Sequence, residues 1–230
     1  MPPNPIIYCE TNWIVSLAFP HHQKHKEANE LLTKASAGEF ELRLPVTALI
    51  EAPRPIKDEA DSFTGTWNAF RALIQHALAN GHNEFDSIFR VVIGGEKTER
   101  EAIKKISSEY ITKQQSRNVV NMLENSPGVQ ILNNPNDAIP TFTNIRHKVN
   151  FRGAETVDLF ILAHVLADRA KEPPERPAIL LSLDEKAFDP GRKNCNVDGK
   201  FYRDYHLAWC SSFNYQHATA RWAEWFATSQ

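Results

Sequence analysis

A chain of 230 residues, 42% hydrophobic and 23% charged, is too apolar for a disordered protein and suits one large core or a core carrying an insertion. Its 26 basic and 28 acidic residues give a formal net charge of -2, which excludes a bulk basic surface, so any nucleic-acid contact has to be local. Cys9, Cys195 and Cys210 show no paired spacing, excluding a disulfide framework or zinc knuckle; without a basic, apolar leader or a run of membrane length, a reducing cytoplasm is the expected setting and no membrane partner is expected.

Ile6 to Cys9 follows a proline-rich start and reads as a buried strand, with Thr11-Asn12 as the expected N-cap for the apolar stretch Trp13 to Phe19. Glu10 therefore sits where a strand meets a helix. Gln23 to Ala37 places Ala28, Leu31, Leu32 and Ala35 at helical spacing, and Gly38 is a stop. Phe40 to Pro45 reads as a second strand and Val46 to Ala52 as a helix, so Glu51 falls about one turn beyond the strand, within reach of its end.

From Asp58 to Asn125 the pattern is mostly helical. Phe63, Trp67, Phe70, Leu73, Ile74 and Leu78 form one stripe and Ile103, Ile106, Tyr110, Val119 and Met122 another, interrupted by Gly81, Gly94-Gly95 and Pro127-Gly128. Val129 to Leu132 is β-like. Thr156 to Arg169 reads as a buried helix with Asp158 in its first turn, and Pro177 to Leu183 as a strand with Asp184 at its carboxyl end. Alternating short strands and amphipathic helices predict an α/β fold, a three-layer α/β/α sandwich with a mainly parallel central sheet. Ligands in such sheets gather outside the carboxyl ends of the strands.

Any one of Glu10, Glu51, Asp158 and Asp184 is explained as a cap or first-turn acid favoured by a helix dipole. Four acids near strand ends or helix starts, each flanked by buried-looking apolar segments, are harder to explain so, because neighbouring carboxylates repel and raise one another's pKa. A divalent cation relieves that repulsion. Hard oxygen ligands suit Mg2+ or Mn2+, which polarise phosphoryl oxygens and activate water for phosphodiester hydrolysis.

In Ile7-Tyr8-Cys9-Glu10-Thr11-Asn12, Leu44-Pro45-Val46-Thr47 with Glu51, Asp158-Leu159-Phe160-Ile161-Leu162-Ala163 and Leu181-Ser182-Leu183-Asp184, the chain resembles the PIN domains, which include VapC-type ribonuclease toxins. The resemblance covers the first 55 or so residues and about 155 to 190. It implies a single PIN-like domain over 1–230 with a mainly helical insertion at about 55–150. It also implies a metal-dependent endoribonuclease acting on single-stranded RNA, with a toxin–antitoxin pair as one setting and an antitoxin as partner; a second copy of the chain is a further candidate partner. Glu10, Glu51, Asp158 and Asp184 then hold one or two metal ions, and Thr11, Asn12 and Ser182 orient the carboxylates. Two departures stand out: the first acid is usually Asp but here is Glu10, one methylene longer, and the insertion is much longer than in compact toxins. A noncatalytic binding module and a structure-selective DNA nuclease are the competing functions.

Arg146, Lys148 and Arg152, with His147, precede the acidic helix and are candidate phosphate contacts, as are Arg192, Lys193 and Lys200 after Asp184. His21, His22 and His25 lack further metal ligands at matching spacing and read as a solvated face. Gly94-Gly95-Glu96-Lys97-Thr98 has Glu96 where a phosphate loop needs glycine. Cys9 reads as a buried strand cysteine, and the aromatic tail from Trp209 to Phe226 as a terminal helix packed on the core, with base stacking or a dimer surface as the alternatives.

Overall fold

The computed structural model describes residues 4–20, 22–65, 81, 97–149, 151, 156–192 and 196–227. His21, Arg152, Lys193, Cys195, residues 94–96 and the side chains of the 63–78 stripe and of Ile103 and Ile106 lie outside the described residues. Five strands, β1 (Ile6–Cys9), β2 (Glu41–Pro45), β3 (Val129–Leu132), β4 (Ala178–Leu181) and β5 (Ala208–Cys210), form one parallel sheet in the order β3-β2-β1-β4-β5. Every residue of β1 and β4 is buried, which is why both read as continuous apolar runs: helices cover a parallel sheet on both faces.

The chain winds outward from β1 through β2 to β3, then returns to the other side of β1 as β4 and continues to β5. Winding therefore reverses between β1 and β4, where an open parallel sheet leaves a crevice at its carboxyl edge. Cys9 pairs with Leu181, so Glu10 and Ser182 leave the sheet at the same level on either side of that crevice.

The first helices are α1 (Thr11–Ala18), α2 (His25–Ser36), α3 (Val46–Glu51) and α4 (Pro53–Gly65). They are followed by α5 (Lys97–Glu124), α6 (Ala138–Ile145), α7 (Thr156–Arg169), α8 (Glu185–Phe188), α9 (Gly199–Asp204) and α10 (Tyr215–Ala227). On one face, Ile6, Tyr8, Ala178 and Leu180 pack with Leu162, Val165 and Leu166 of α7. Strand alternation sends Ile7, Cys9, Ile179 and Leu181 to the other face. Trp13 of α1 is fully buried and donates through Nε1 to Ala28 O of α2 at 3.3 Å, joining two helices.

The chain divides into two compact units, 1–52 with 119–230, and 53–118. The first contains the whole sheet, including β3. In the second, Ser108 Oγ donates to Asp61, tying α5 to α4, and Lys57 pairs with Asp61 one turn away.

Three local expectations differ from the structure. Glu10, not Thr11 or Asn12, is the N-cap of α1: its carboxylate accepts from the Asn12 backbone amide, and Thr11 is already helical. His25 is half-buried rather than solvated, with Nδ1 2.8 Å from Ser16 O and Nε2 2.7 Å from Asn29 Nδ2. The tail opens with β5, a strand of three residues, before α10. Phe213 and Ala218 are buried, and Tyr215 stacks on Phe40 at 4.7 Å between centroids, so core packing holds for the first part of the tail.

A buried ionic cluster lies between the sheet and the end of α7. Arg43 of β2, 6% exposed, donates from Nη1 to Asp168 Oδ2 at 2.7 Å and from Nη2 to Glu41 at 2.6 Å, with Glu172 at 2.7 Å. Arg176 bridges Glu41 and Glu172 at 2.6 and 2.8 Å. Burial opposes charge on Glu41 and Glu172, but hydrogen bonds from the two arginines and their charges outweigh it, so both carboxyls are held below their ordinary value. Arg169 turns away to donate to the carbonyls of His206, Glu172, Pro173, Pro174 and Arg176.

Gly128, just before β3, has φ +76°, and a Cβ there would lie 2.0 Å from Ala35 O at the end of α2. Two costs combine, left-handed backbone and backbone collision, so Gly128→Ala should destabilise the protein by about 3 kcal/mol or more. Urea unfolding measures this, and a loss under about 1 kcal/mol would rule out the close approach.

Candidate functional site

Strand β1 ends in Glu10 because the apolar run Ile6–Cys9 stops there and α1 starts at the next residue. The carboxylate is 3% exposed. Its Oε2 accepts from the Asn12 amide at 2.9 Å, while Oε1 is buried without a hydrogen-bond partner among the described residues. Burial pushes the Glu10 carboxyl up to about 7. The Asn12 backbone and side chain pull it down, the nearby Asp158 charge pushes it further up, and the Ser182 hydroxyl favours the ionised form.

Asp158 is half-buried in the first turn of α7, which the apolar sequence Leu159 to Leu166 holds against the sheet. Glu51 is half-buried at the end of α3 and accepts a hydrogen bond from Thr11 Oγ1 through Oε2, which folds it back toward the residue after Glu10. Ser182, fully buried, accepts from the Asp184 amide at 3.0 Å, and Asp184 caps α8 by accepting from the Ala187 amide at 2.9 Å.

The fold thus brings Glu10, Asp158, Ser182 and Asn12 into mutual influence, ties Glu51 to Thr11, and links Asp184 to Ser182. It does not draw the four acids into a ready-made cage. Among the described residues no three His, Cys, Asp or Glu side chains are grouped closely enough to hold a metal ion. Donor chemistry nevertheless fits a hard divalent cation. The set is all oxygen, the central carboxylate has one oxygen without a close hydrogen bond among the described residues, and a second carboxylate acts on it electrostatically.

Arg146 and Lys148 are exposed just past α6. Phe142 packs on Phe160 at 5.5 Å and Phe151 on Phe188 at 5.9 Å, so both cations lie in the chain between ring contacts to the helices that carry Asp158 and follow Asp184. His147 accepts from Arg146 Nε at 3.1 Å. Arg192 and Lys200 are exposed. Cys9 is fully buried, and burial followed by the Glu10 charge pushes its thiol well above the ordinary value, which suits a packing role.

The sequence reading missed Asp168, Arg43 and Tyr8, which meet in the ionic cluster under α7. An arginine inside the apolar strand Leu42-Arg43-Leu44, and an acid near the end of an otherwise apolar helix, were the available signals. No family model matches the chain, and no curated protein matches it significantly.

Because the folded carboxyl of Glu10 binds its proton more tightly than an unfolded glutamate, its contribution to stability is present below about pH 4.5 and is lost as pH rises through about 7. Removing the charge with Glu10→Gln should therefore raise stability of the metal-free protein at pH 8 by roughly 3 kcal/mol relative to its effect at pH 4.5. Denaturant melts across that range check it; parallel pH curves for the two proteins would show that Glu10 ionises freely.

Proposed function

We propose that this chain is a divalent-metal-dependent endoribonuclease of the PIN type, acting on single-stranded RNA. What carries the reading is Glu10: a buried carboxylate with one unused oxygen, at the carboxyl end of the strand where the sheet reverses direction, under the influence of a second acid. Glu10 and Asp158 are the residues that would hold Mg2+ or Mn2+, and Glu51 and Asp184 would complete the set. When bound, the ion supplies polarisation of a phosphoryl oxygen and activation of water.

The chain's own groups do the rest. Asn12 and Ser182 favour the ionised form of Glu10 that a cation requires, and Thr11 orients Glu51. Arg146 and Lys148, exposed in the turn beyond α6, supply local positive charge for phosphates on a chain whose net charge is -2. The toxin setting and an antitoxin partner follow from the resemblance to PIN toxins, and a homodimer from the aromatic tail as a dimer surface.

One observation favours a second reading, a noncatalytic module that keeps the pocket. Glu51 and Asp184 are already engaged by Thr11 and the Ala187 amide, and no three acids are grouped for a metal among the described residues.

Cleavage of a fluorophore-labelled single-stranded RNA separates the two. Activity should require Mn2+ or Mg2+, fall by about 100-fold or more in Asp158→Asn, and be abolished by EDTA. Arg146→Ala and Lys148→Ala should weaken RNA binding across sequences, each lowering the salt slope by about 1. Cleavage that survives EDTA and Asp158→Asn would overturn the metal-dependent reading, and no cleavage by the wild type with either metal would overturn the nuclease reading.

A further inference from the structure

The strand before Glu10, the strand that leads into the helix of Glu51, and the helix of Asp158 meet at a single atom of Asp168. Asp168 Oδ2 accepts from Tyr8 OH at 2.8 Å and from Arg43 Nη1 at 2.7 Å, and all three residues are buried. Tyr8 lies on β1 two residues before Glu10. Arg43 lies on β2, which runs directly into the helix α3 that ends at Glu51. Asp168 lies on α7 ten residues after Asp158, about 15 Å along the helix.

We propose that Asp168 is a positioning residue, whose bonds to Tyr8 and Arg43 fix the register of α7 on the sheet and thereby set Asp158 against Glu10. The proposal rests on the metal-binding reading of those acids given above. Its physical basis is the contrast between two kinds of contact under α7. Leu162, Val165 and Leu166 bury apolar surface against the sheet, and such contacts are non-directional. They hold the helix down without fixing its slide or rotation.

A charge-assisted hydrogen bond has a preferred length and direction, and two converging on one oxygen leave the helix end little freedom. Because a helix is stiff over three turns, a shift at Asp168 is carried to Asp158. Tyr8 and Arg43 are also register partners across β1 and β2, so the two donors reach Asp168 from adjacent points of the sheet. Burial and the Asp168 charge both push the Tyr8 hydroxyl above its ordinary value, keeping it protonated as a donor. Burial works against the charge on Arg43, but its bonds to Asp168, Glu41 and Glu172 outweigh that and keep it ionised.

Glu172 provides the control. It contacts Arg43 and Arg176 in the same cluster but follows α7 by three residues. Asp168→Asn and Tyr8→Phe disturb the proposed anchor while keeping side-chain volume; Glu172→Gln removes a charge from the same arginine while leaving both hydrogen bonds to Asp168 Oδ2 in place. Mn2+ affinity by calorimetry and amide exchange of Leu159 to Leu162 in metal-free protein are measured for all three and for wild type.

Asp168→Asn is expected to weaken Mn2+ binding at least about tenfold and to speed exchange at Leu159 to Leu162, and Tyr8→Phe to do so more mildly. Glu172→Gln should stay within about twofold for Mn2+ even where its thermal destabilisation matches that of Asp168→Asn. Equal Mn2+ affinity in wild type and Asp168→Asn overturns the positioning role and leaves the metal reading standing. A wild type that binds no Mn2+ overturns the metal reading instead. Exchange then decides the anchor alone, with unchanged exchange in Asp168→Asn overturning it.

Discussion

Burying a carboxylate is among the most costly things a fold does, and the sheet does it at Glu10. The position follows from topology. A strand at the centre of a parallel sheet ends inside the protein, and any residue that follows it before the next helix is enclosed by the neighbouring strand ends. The reversal of winding between β1 and β4 leaves a crevice beside that residue, where ligands gather in such sheets. The Asn12 amide offsets part of the cost at Oε2, and a hard cation is the group whose chemistry would offset the rest at Oε1.

The opposite end of α7 has the reverse electrostatic character. There arginines and carboxylates are matched within 2.6 to 2.8 Å, and Glu41 and Glu172 are held ionised. One end of the helix is satisfied by ion pairs; the other places Asp158 beside a carboxyl whose charge is disfavoured. A single helix therefore joins a well-compensated anchor to an under-compensated edge. Such an arrangement lets the frame stay stable while the edge carries the cost of a disfavoured charge.

The α/β/α architecture was legible in the chain because buried parallel strands read as unbroken apolar runs and the helices between them carry clear periodicity. Strands β1 and β4 follow this rule, β2 and β3 carry Glu41, Arg43 and Gln130 within their apolar stretches, and β5 has only three residues among aromatics and gives no period to read. The element boundaries that carry the acids were also legible: Glu10 follows β1, Asp158 lies in the first turn of α7, and Glu51 ends the helix that follows β2, while Asp184 lies three residues past the end of β4 as the cap of α8. Side-chain detail was not. Hydroxyl and amide residues are the favoured caps, which pointed to Thr11 and Asn12 where the longer Glu10 side chain takes the role. Alternation would send Arg43 to solvent, and its partner Asp168 is 125 residues away, a pairing no local pattern contains.

The central claim is that Glu10 and Asp158 together bind a divalent cation. The most direct measurement is anomalous diffraction from crystals equilibrated with Mn2+ near pH 8, above the value of about 7 to which burial raises Glu10. A manganese peak about 2.2 Å from Glu10 Oε1 and within coordinating distance of Asp158 is the predicted result. Saturating Mn2+ with no peak between these two carboxylates, or a peak held by other residues alone, would contradict it.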